Sequence, residues 1–243
     1  MAESSFFTVL ERVDSTNNYA MARIDDGLAK HGMTWFTEEQ TAGKGQRGKT
    51  WASEKGKNIA MSLVLSPEQC KITSHFHLSS AVAVACFEFL QGYIDDENKI
   101  KWPNDLFWRD RKAGGILIEN KLQGKIWKWA VVGIGINVNQ TVFDRSLNNA
   151  VSLKQITGRT FNPVELAKEL QALIMKRLDE QPGPEKILGQ YNQHLYKKNN
   201  LVTLRKGGTR FDTVIKEVSS QGKLVTVDAI EREFDFGEVD WVL

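Results

Sequence analysis

Short apolar runs separated by polar or glycine-containing segments recur along much of this chain. Short runs rich in β-branched and aromatic residues, each bounded by polar or glycine-containing turns, predict strands. These predicted strands cover residues 6–10, 33–38, 59–65, 100–102, 106–108, 115–119 and 126–138, with Arg109-Asp110-Arg111 at the tip of one hairpin. Because many of them are joined by short turns, we expect mainly antiparallel pairing.

Helices are predicted where apolar residues recur every three or four positions. Residues 76–94 have this spacing and predict an amphipathic helix that packs on the sheet. An earlier helix follows the N-cap candidates in Asp14-Ser15-Thr16-Asn17. Asn162-Pro163-Val164-Glu165 places an N-cap before a proline at the first helical position. It therefore predicts the start of a third helix, and a fourth is expected to end near Leu195.

The last part of the chain, residues 201–243, shows four short strand patterns separated by Gly207-Gly208, Gly222 and polar turns. From Lys197 onward the chain carries eight basic and eight acidic side chains. This balance is typical of a small neutral β-barrel and not of a nucleic-acid-binding arm. We therefore expect two domains, residues 1–196 and residues 197–243.

The composition is that of a globular protein with a sizeable core: 243 residues, 41% hydrophobic and 26% charged, with a formal net charge of +2. That charge is too small to indicate a nucleic-acid or membrane-surface partner. Cys70 and Cys86 form no C-x-x-C pair, no secretory leader precedes them, and the apolar stretch 81–87 is too short to span a membrane. We expect a cytoplasmic protein with free thiols, and neither DNA nor a membrane as a partner.

A long loop of glycine, lysine and polar residues, 40–58, is the first candidate for function. Its segment Gly43-Lys44-Gly45-Gln46-Arg47-Gly48-Lys49-Thr50 satisfies both G-x-G-x-x-G and G-x-x-x-x-G-K-[ST]. Both phosphate motifs need a long helix directly after the glycines, whereas a strand is predicted here. Flexible backbone and excess positive charge still favour anion binding. A solvated loop or contact with nucleic-acid phosphates stays open, and Trp51 either stacks on a base or anchors the loop.

A second group of polar residues lies at the ends of predicted strands. Lys101-Trp102-Pro103-Asn104-Asp105 ends one strand, and Lys112 opens the next, so two lysines on paired strands can face one site. Gly133 and Gly135 clear one face of an apolar strand for a ligand or a neighbouring backbone, and Asn137 presents an amide on that face. Taken alone, Asn104-Asp105 is a turn and Lys112 a solvated side chain.

Together these blocks resemble the biotin protein ligases, also called biotin–[acetyl-CoA-carboxylase] ligases. The resemblance extends over nearly the whole chain and is carried by Asp14-Ser15-Thr16-Asn17, the loop from Gln40 to Lys49 with Trp51, Lys101-Trp102-Pro103-Asn104-Asp105, Lys112-Ala113-Gly114-Gly115-Ile116-Leu117-Ile118-Glu119 and Gly133-Ile134-Gly135-Ile136-Asn137. It implies an α+β fold of the class II synthetase-like, biotin–lipoate ligase type. In that fold a central mixed, largely antiparallel sheet is flanked by helices and followed by a small C-terminal SH3-like β-barrel. The family also contains members with an N-terminal DNA-binding domain, and this chain resembles the ligase-only form.

The resemblance implies an enzyme that joins biotin to ATP as biotinyl-5′-AMP, with Mg²⁺ on the triphosphate, and then transfers biotin to one lysine of a biotin carboxyl carrier protein. It assigns catalytic roles to Lys112, Asp105 and Lys101. Lys112 would bridge the biotin carboxylate and the α-phosphate, and Asp105 is either a base or an orienting group. The implied biotin-binding residues are Ser15, Thr16, Asn17, Gln40, Lys44, Gly45, Gln46, Lys112 and Gly115. The implied nucleotide-binding residues are Gly43, Arg47, Lys49, Trp51, Asn104 and Asn137.

Gln46 departs from the family's common G-R-G-R-x-G loop, because it puts a neutral amide where relatives have an arginine fork. We therefore expect this chain to hold the adenylate less tightly. No side-chain metal site is expected, since His75 and His77 point apart on a helix. The alternative functions are a lipoate– or octanoate–protein ligase or transferase of the same superfamily, and a non-catalytic nucleotide- or nucleic-acid-binding module. Monomer and homodimer are both left open.

Overall fold

The computed structural model describes residues 6–95, 97–144, 147, 149–181 and 183–242; residues 1–5 and 243, the outer ends of the two expected domains, lie outside this description. The elements in chain order are β1 (Phe7–Val13), α1 (Thr16–Asp25), β2 (Thr34–Gln40), β3 (Ile59–Leu65), α2 (His75–Gln91), β4 (Asn98–Lys101), β5 (Asp105–Trp108), β6 (Arg111–Gln123), β7 (Ile126–Ile136), α3 (Leu153–Thr157), α4 (Pro163–Asp179), α5 (Pro184–Gln193), β8 (Leu201–Lys206), β9 (Thr209–Val218), β10 (Leu224–Val227), β11 (Glu231–Phe234) and β12 (Asp240–Trp241).

A seven-stranded sheet with the order β1-β2-β3-β7-β6-β5-β4 forms the centre of the molecule. β1 pairs with β2 in parallel, and the other neighbours pair antiparallel, which confirms a mixed, largely antiparallel sheet. β3 is buried at all seven positions because it lies between β2 and β7 and is covered on both faces. This double coverage explains why its sequence is almost continuously apolar.

Helices cover both faces of the central sheet. On one face α1 packs in a small cluster that includes Ala20, Trp35, Val64 and Val131. On the other face α2 and α4 join the large core, to which α2 contributes ten buried hydrophobic residues. Burial of each Val, Leu or Phe side chain among them adds roughly 1.5–3 kcal/mol of hydrophobic stabilisation before the entropy of ordering is subtracted. No helix in the described ranges is long and apolar enough to cross a bilayer.

The predicted helix starts agree with the structure, whereas several element ends differ. The side chain of Asn162 accepts hydrogen bonds from the N–H groups of Val164 and Glu165 and caps α4 as predicted. α2 ends at Gln91 and α5 at Gln193, each a few residues before the predicted end. α3 was not predicted, because five residues are too few to show a helical period.

The C-terminal part is an antiparallel sheet of five strands in the order β11-β10-β9-β8-β12, consistent with the expected SH3-like domain. The prediction of four strands was wrong, because β12 has only two residues and is held by pairing with β8. This sheet packs against the central part of the chain. Asn192 of α5 exchanges two hydrogen bonds with the backbone of Val218, and the indole N–H of Trp102 donates to the carbonyl of Gly222 at 3.0 Å.

Candidate active site

Two adjoining cavities lie beside the loop between β2 and β3. The smaller, with about 470 Å³ of empty space, is lined by the start of α1, by Gln40, by the loop and by β3, β6 and β7. The larger, with about 1780 Å³, extends from the same loop past β4–β6 to the C-terminal sheet. The residues that line both cavities are Gly45, Gln46, Trp51, Asn104 and Lys112. The two cavities therefore meet at these side chains.

A network of buried polar groups forms the wall of the smaller cavity at the start of α1. Gln40 Oε1 accepts a hydrogen bond from the backbone N–H of Thr16 at 2.9 Å, so a side chain from β2 satisfies a helix-terminal donor. Ser62 Oγ lies 2.7 Å from Thr16 Oγ1 and 2.6 Å from Asn17 Oδ1. Asn17 Nδ2 donates to Glu119 Oε2 at 2.7 Å. These bonds hold hydroxyl and amide groups in fixed positions along an otherwise apolar wall.

Two glycines of β7 make room for this wall and for the loop. A Cβ at Gly133 would lie 2.3 Å from Asn17 Oδ1, and a Cβ at Gly135 would lie 2.4 Å from Trp51 Cε2. Neither contact is sterically allowed for a larger residue without displacement of the neighbour. The glycine pair predicted from its spacing thus admits one polar side chain and one aromatic ring, both of which line the smaller cavity.

The basic loop is held at its base and joined to other elements by ion pairs. The N–H of Trp51 donates to the carbonyl of Gly43, where a Cβ would lie only 2.4 Å from the Trp51 oxygen. Lys44 Nζ lies 3.4 Å from Glu119 Oε1, and Arg47 Nη1 lies 3.5 Å from Asp240 Oδ1. The loop contains one three-residue 3₁₀ turn and leads into β3. It therefore lacks the long helix on which a P-loop or a Rossmann site holds phosphate.

Lys112 lies at the junction of the two cavities. Its Nζ is 2.6 Å from Asp105 Oδ1 and 5.8 Å from the centre of the Trp51 ring. A Cβ at Gly115 would lie 3.3 Å from both groups of this pair, so the glycine leaves the space that the pair occupies. An irregularity in the β5–β6 pairing after Leu106 brings Phe107 opposite Lys112. Asp105 lies two residues before Phe107 on the same strand, so its side chain is on the same face as Lys112 and forms the ion pair.

Lys101 has different surroundings. Its Nζ lies 4.9 Å from the centre of the Phe107 ring and 5.2 Å from that of Trp241 in the C-terminal sheet. Burial lowers the pKa of Lys101 to about 8, with an opposing effect from Asp105 and a smaller lowering effect from Lys112. The side chain lines the larger cavity together with Arg47, Lys49, Lys112 and Arg205. This cavity thus presents five cationic side chains and the carboxylates of Asp105 and Asp240.

All nine residues predicted to bind biotin line the smaller cavity. Of the residues predicted to bind nucleotide, all but Gly43 line the larger cavity, and Gly43 shapes the base of the loop instead. Two of them also hold the backbone together. Asn104 Nδ2 donates to the carbonyl of Ile116 at 2.6 Å, and Asn137 Nδ2 donates to the carbonyls of Lys112 and Val151.

Several residues of the site were not predicted from the sequence. Ser62 is a single hydroxyl in the apolar run of β3, and that interruption of the pattern was an available signal. Glu119 ends the block Lys112–Glu119 that resembles the family, yet the sequence does not show that it contacts Asn17 and Lys44. The C-terminal sheet also contributes residues to the larger cavity, namely Arg205, Asp240 and Trp241. No sequence motif indicated that these residues belong to the site.

Within the described ranges, no group of three or more His, Cys, Asp or Glu side chains could hold a metal ion. The cationic larger cavity fits a metal ion that enters as part of a metal–triphosphate complex. In such a complex phosphate oxygens and water molecules supply most of the ligands of Mg²⁺. Asp105 and Asp240 are the carboxylates among the lining residues of this cavity, and each is already paired with a basic side chain.

A polar-walled pocket that joins a cationic cavity at one lysine is the arrangement expected of a ligase that activates a carboxylic acid with a nucleotide. The chain belongs to the Biotin/lipoate A/B protein ligase family, whose sequence profile matches residues 9–137. It is 32% identical over 239 residues to the bifunctional ligase/repressor BirA of Escherichia coli, which covers 95% of this chain and 72% of the relative. It is 33% identical over 164 residues to the biotin–[acetyl-CoA-carboxylase] ligase of Paracoccus denitrificans, which covers 65% of this chain and 66% of the relative.

The fold is also that of solved structures. The biotin protein ligase from Aquifex aeolicus in complex with biotin and ATP superposes with a TM-score of 0.81 at 24% identity, covering 96% of this chain and 97% of that one. The biotin protein ligase from Leishmania major in complex with biotinyl-5-AMP superposes with a TM-score of 0.66 at 22% identity, covering 94% and 98%. These similarities confirm the expected α+β fold.

Proposed function

We propose that this chain is an ATP-dependent biotin–protein ligase. It activates biotin as biotinyl-5′-AMP and transfers the biotinyl group to one lysine of a biotin carboxyl carrier domain of an acyl-CoA carboxylase. The observation that carries this proposal is the position of Lys112, whose ammonium group lies where the smaller and the larger cavity meet. The names of the relatives from Escherichia coli and Paracoccus denitrificans support the same activity.

Biotin occupies the smaller cavity in this proposal. The hydroxyl and amide groups of Ser15, Thr16, Asn17 and Gln40 supply donors and acceptors for a ureido ring, and the carboxylate end points to Lys112. Gly45 and Gly115 allow the ligand to approach the backbone. Lys44, tied to Glu119, and Gln46 close the pocket from the loop.

ATP occupies the larger cavity. Arg47, Lys49 and Lys101 face the triphosphate, which carries several negative charges and enters with Mg²⁺. The metal ion supplies charge neutralisation on the phosphates. The Trp51 ring lines this cavity beside the nucleotide. Asn104 and Asn137 are polar lining residues, and their hydrogen bonds to the carbonyls of Ile116 and Lys112 also hold β6 in place.

In the first step a carboxylate oxygen of biotin bonds to the α-phosphorus of ATP. The bond from that phosphorus to the β-bridging oxygen breaks, and pyrophosphate leaves with the electron pair. Two unit charges at about 4 Å repel by about 4 kcal/mol at an effective dielectric constant of about 20. Lys112 offsets this repulsion because it contacts both cavities, and Asp105 keeps its ammonium group in place.

In the second step the amine of the carrier lysine bonds to the carbonyl carbon of biotinyl-5′-AMP. The bond from that carbon to the phosphate oxygen breaks, AMP leaves with the electron pair, and the proton lost by the amine passes to solvent. The 2.6 Å ion pair with Lys112 supports an orienting role for Asp105 rather than that of a free base. The loop that covers both cavities limits the access of water, which would otherwise hydrolyse the adenylate.

The alternatives predicted from the sequence differ in substrate or in activity. Lipoate and octanoate lack a ureido ring, so the polar wall of Ser15, Thr16, Asn17 and Gln40 favours biotin. A non-catalytic binding module would not need a lysine where two cavities meet, whereas a ligase needs one to offset the charges of its two substrates. We place the reaction in the cytoplasm, where the free thiols of Cys70 and Cys86 stay reduced.

Biotin-dependent exchange of labelled pyrophosphate into ATP tests this proposal. We expect Lys112→Ala to lower the exchange rate by at least about 100-fold, because charge stabilisation at the reacting centre is lost. Lys121→Ala is the matched control, since Lys121 lies on the same strand and pairs with Asp25 at the surface. Exchange that proceeds with lipoate or octanoate but not with biotin would overturn the proposal. So would equal rates in the two variants, both folded.

A further inference from the structure

The last strand of the C-terminal sheet forms part of the larger cavity. Asp240 and Trp241 of β12 both line it, together with Arg205 of β8. Trp241 packs on Tyr196 with ring centres 5.5 Å apart, which fixes the indole against the central part of the chain. Its N–H is buried and has no hydrogen-bond partner among the described residues. Because no hydrogen bond from this N–H to a described residue fixes the indole, the ring is oriented by its contacts with neighbouring side chains.

One of those contacts is with Lys101. The ammonium group of this lysine lies between two aromatic rings, Phe107 of β5 and Trp241 of β12. A lysine side chain has four rotatable bonds and loses much entropy when it is ordered. Two ring faces attract the charge and restrict it before any ligand binds.

We infer that Trp241 is a positioning residue of the nucleotide cavity: from the C-terminal sheet, its ring holds the ammonium group of Lys101 against Phe107, where it faces the phosphates of ATP. This inference rests on the proposed function and deepens it, because it assigns a part of the nucleotide site to the C-terminal sheet. Removal of the ring frees Lys101 and admits water to it, so ATP binding weakens while biotin binding in the smaller cavity is retained.

The pH dependence of ATP binding reports on this contact. With a pKa of about 8, Lys101 loses its charge as the pH rises through that value, and the KM for ATP increases. The charged groups around it are Asp105 of β5, Lys112 of β6, Lys49 of the loop and Asp240 of β12. Because burial is the main cause of the low pKa, water admitted by a smaller residue at 241 raises it. The rise in KM then moves to higher pH.

The experiment measures KM for ATP and for biotin in the exchange assay between pH 6.5 and 9.5, in wild type, Trp241→Leu and Trp241→Phe. We expect Trp241→Leu to raise the KM for ATP at pH 7 by about three- to tenfold and to shift its pH inflection upward, with the KM for biotin and kcat unchanged. Trp241→Phe keeps a ring face, so its KM for ATP should lie within about twofold of the wild-type value and its pH inflection should be that of the wild type. Phe211→Leu is the control, because it removes an aromatic partner of Arg232 elsewhere in the same sheet.

The inference is overturned if Trp241→Leu and Phe211→Leu have the same KM for ATP and the same pH inflection. It is also overturned if Trp241→Leu raises the KM for ATP without shifting the inflection. If Trp241→Leu does not fold, Lys101→Arg tests the premise that Lys101 causes the inflection, since a guanidinium stays charged. Its KM for ATP should be flat up to pH 9.5, and an unchanged inflection overturns the inference. Absence of exchange in the wild type would overturn the proposed function itself.

Discussion

Lys112 on β6 and Lys101 on β4, the two strands that flank β5, show how different surroundings give one residue type two roles. Lys112 pairs with Asp105 at 2.6 Å and contacts both cavities. Lys101 lies between two rings, and burial lowers its pKa to about 8. The carboxylate holds the ammonium group of the first lysine in place where two anions meet. The second is a cation whose charge depends on pH within the range of an ordinary assay.

Gln46 is the residue of the loop for which the sequence predicts a functional difference. Gln46 lines both cavities, beside the junction at which the proposed function forms the adenylate. We expect Gln46→Arg to slow the release of biotinyl-5′-AMP by about fivefold or more, because a charge-assisted pair replaces a neutral contact. The measurement is the dissociation rate of labelled adenylate after dilution into unlabelled ligand. Thr41→Arg, which adds the same charge at an exposed position of the loop, controls for net charge. A release rate equal to that of the wild type would contradict the prediction.

Among the secondary-structure elements, β7 is shaped by its two glycines. Most of the strand is apolar and buried, yet Gly133 and Gly135 leave space for Asn17 and Trp51, which come from other elements. β7 therefore contributes residues both to the core and to the cavity. A methyl group at either glycine would displace Asn17 or Trp51, so a change in the packing of this strand should also change ligand binding.

Gly135→Ala tests this coupling. The new Cβ would lie 2.4 Å from Trp51 Cε2, so the ring must move, and we expect a loss of about 1–3 kcal/mol in the free energy of unfolding together with a higher KM for ATP. Urea unfolding and the exchange assay measure the two effects. Gly189→Ala is the matched control: its new methyl group would have no neighbour within 4 Å beyond its own helix α5, and alanine favours that helix. Unchanged stability and unchanged KM in Gly135→Ala would show that the ring has room to move.

At the scale of the whole molecule, the C-terminal sheet and the central part of the chain line one cavity and are joined by buried hydrogen bonds. Asn192 Nδ2 donates to the carbonyl of Val218 at 2.8 Å, and the N–H of Val218 donates to Asn192 Oδ1 at 2.7 Å. The ion pair of Arg47 with Asp240 is half exposed and contributes little to stability. The buried bonds of Asn192 are therefore the stronger link.

Asn192→Ala leaves a buried N–H and a buried C=O of Val218 without partners. We expect the free energy of unfolding to fall by about 2–4 kcal/mol, since each unpaired group costs about 1–3 kcal/mol. The C-terminal sheet should then unfold at lower urea than the remainder, visible as separate transitions by fluorescence and circular dichroism. Asn200→Ala removes an exposed amide hydrogen bond and should be nearly neutral. A single unshifted transition in Asn192→Ala would show that other contacts join the two sheets.

The candidate site was predictable to the extent that its residues occur in unusual local sequences. The glycine-rich basic loop, the Lys101–Asp105 block and the Gly133–Gly135 pair are each unlike ordinary turns and strands. Ser62 and Glu119 look ordinary in their strands, and their place in the site follows from the elements packed against them. The same holds for β12, whose two residues have no pattern of their own.

Local sequence was enough to establish the order of most helices and strands, the N-cap of α4 at Asn162 and the positions of the glycines that the site requires. These features depend on periodicity, capping and backbone freedom, which act between residues close together in the chain. Folding of the whole chain was needed to pair Asp105 with Lys112, to place Trp51 against Gly135 and to bring Trp241 over Lys101. Those contacts depend on strand register and on how two sheets pack, which are set by burial over the entire protein.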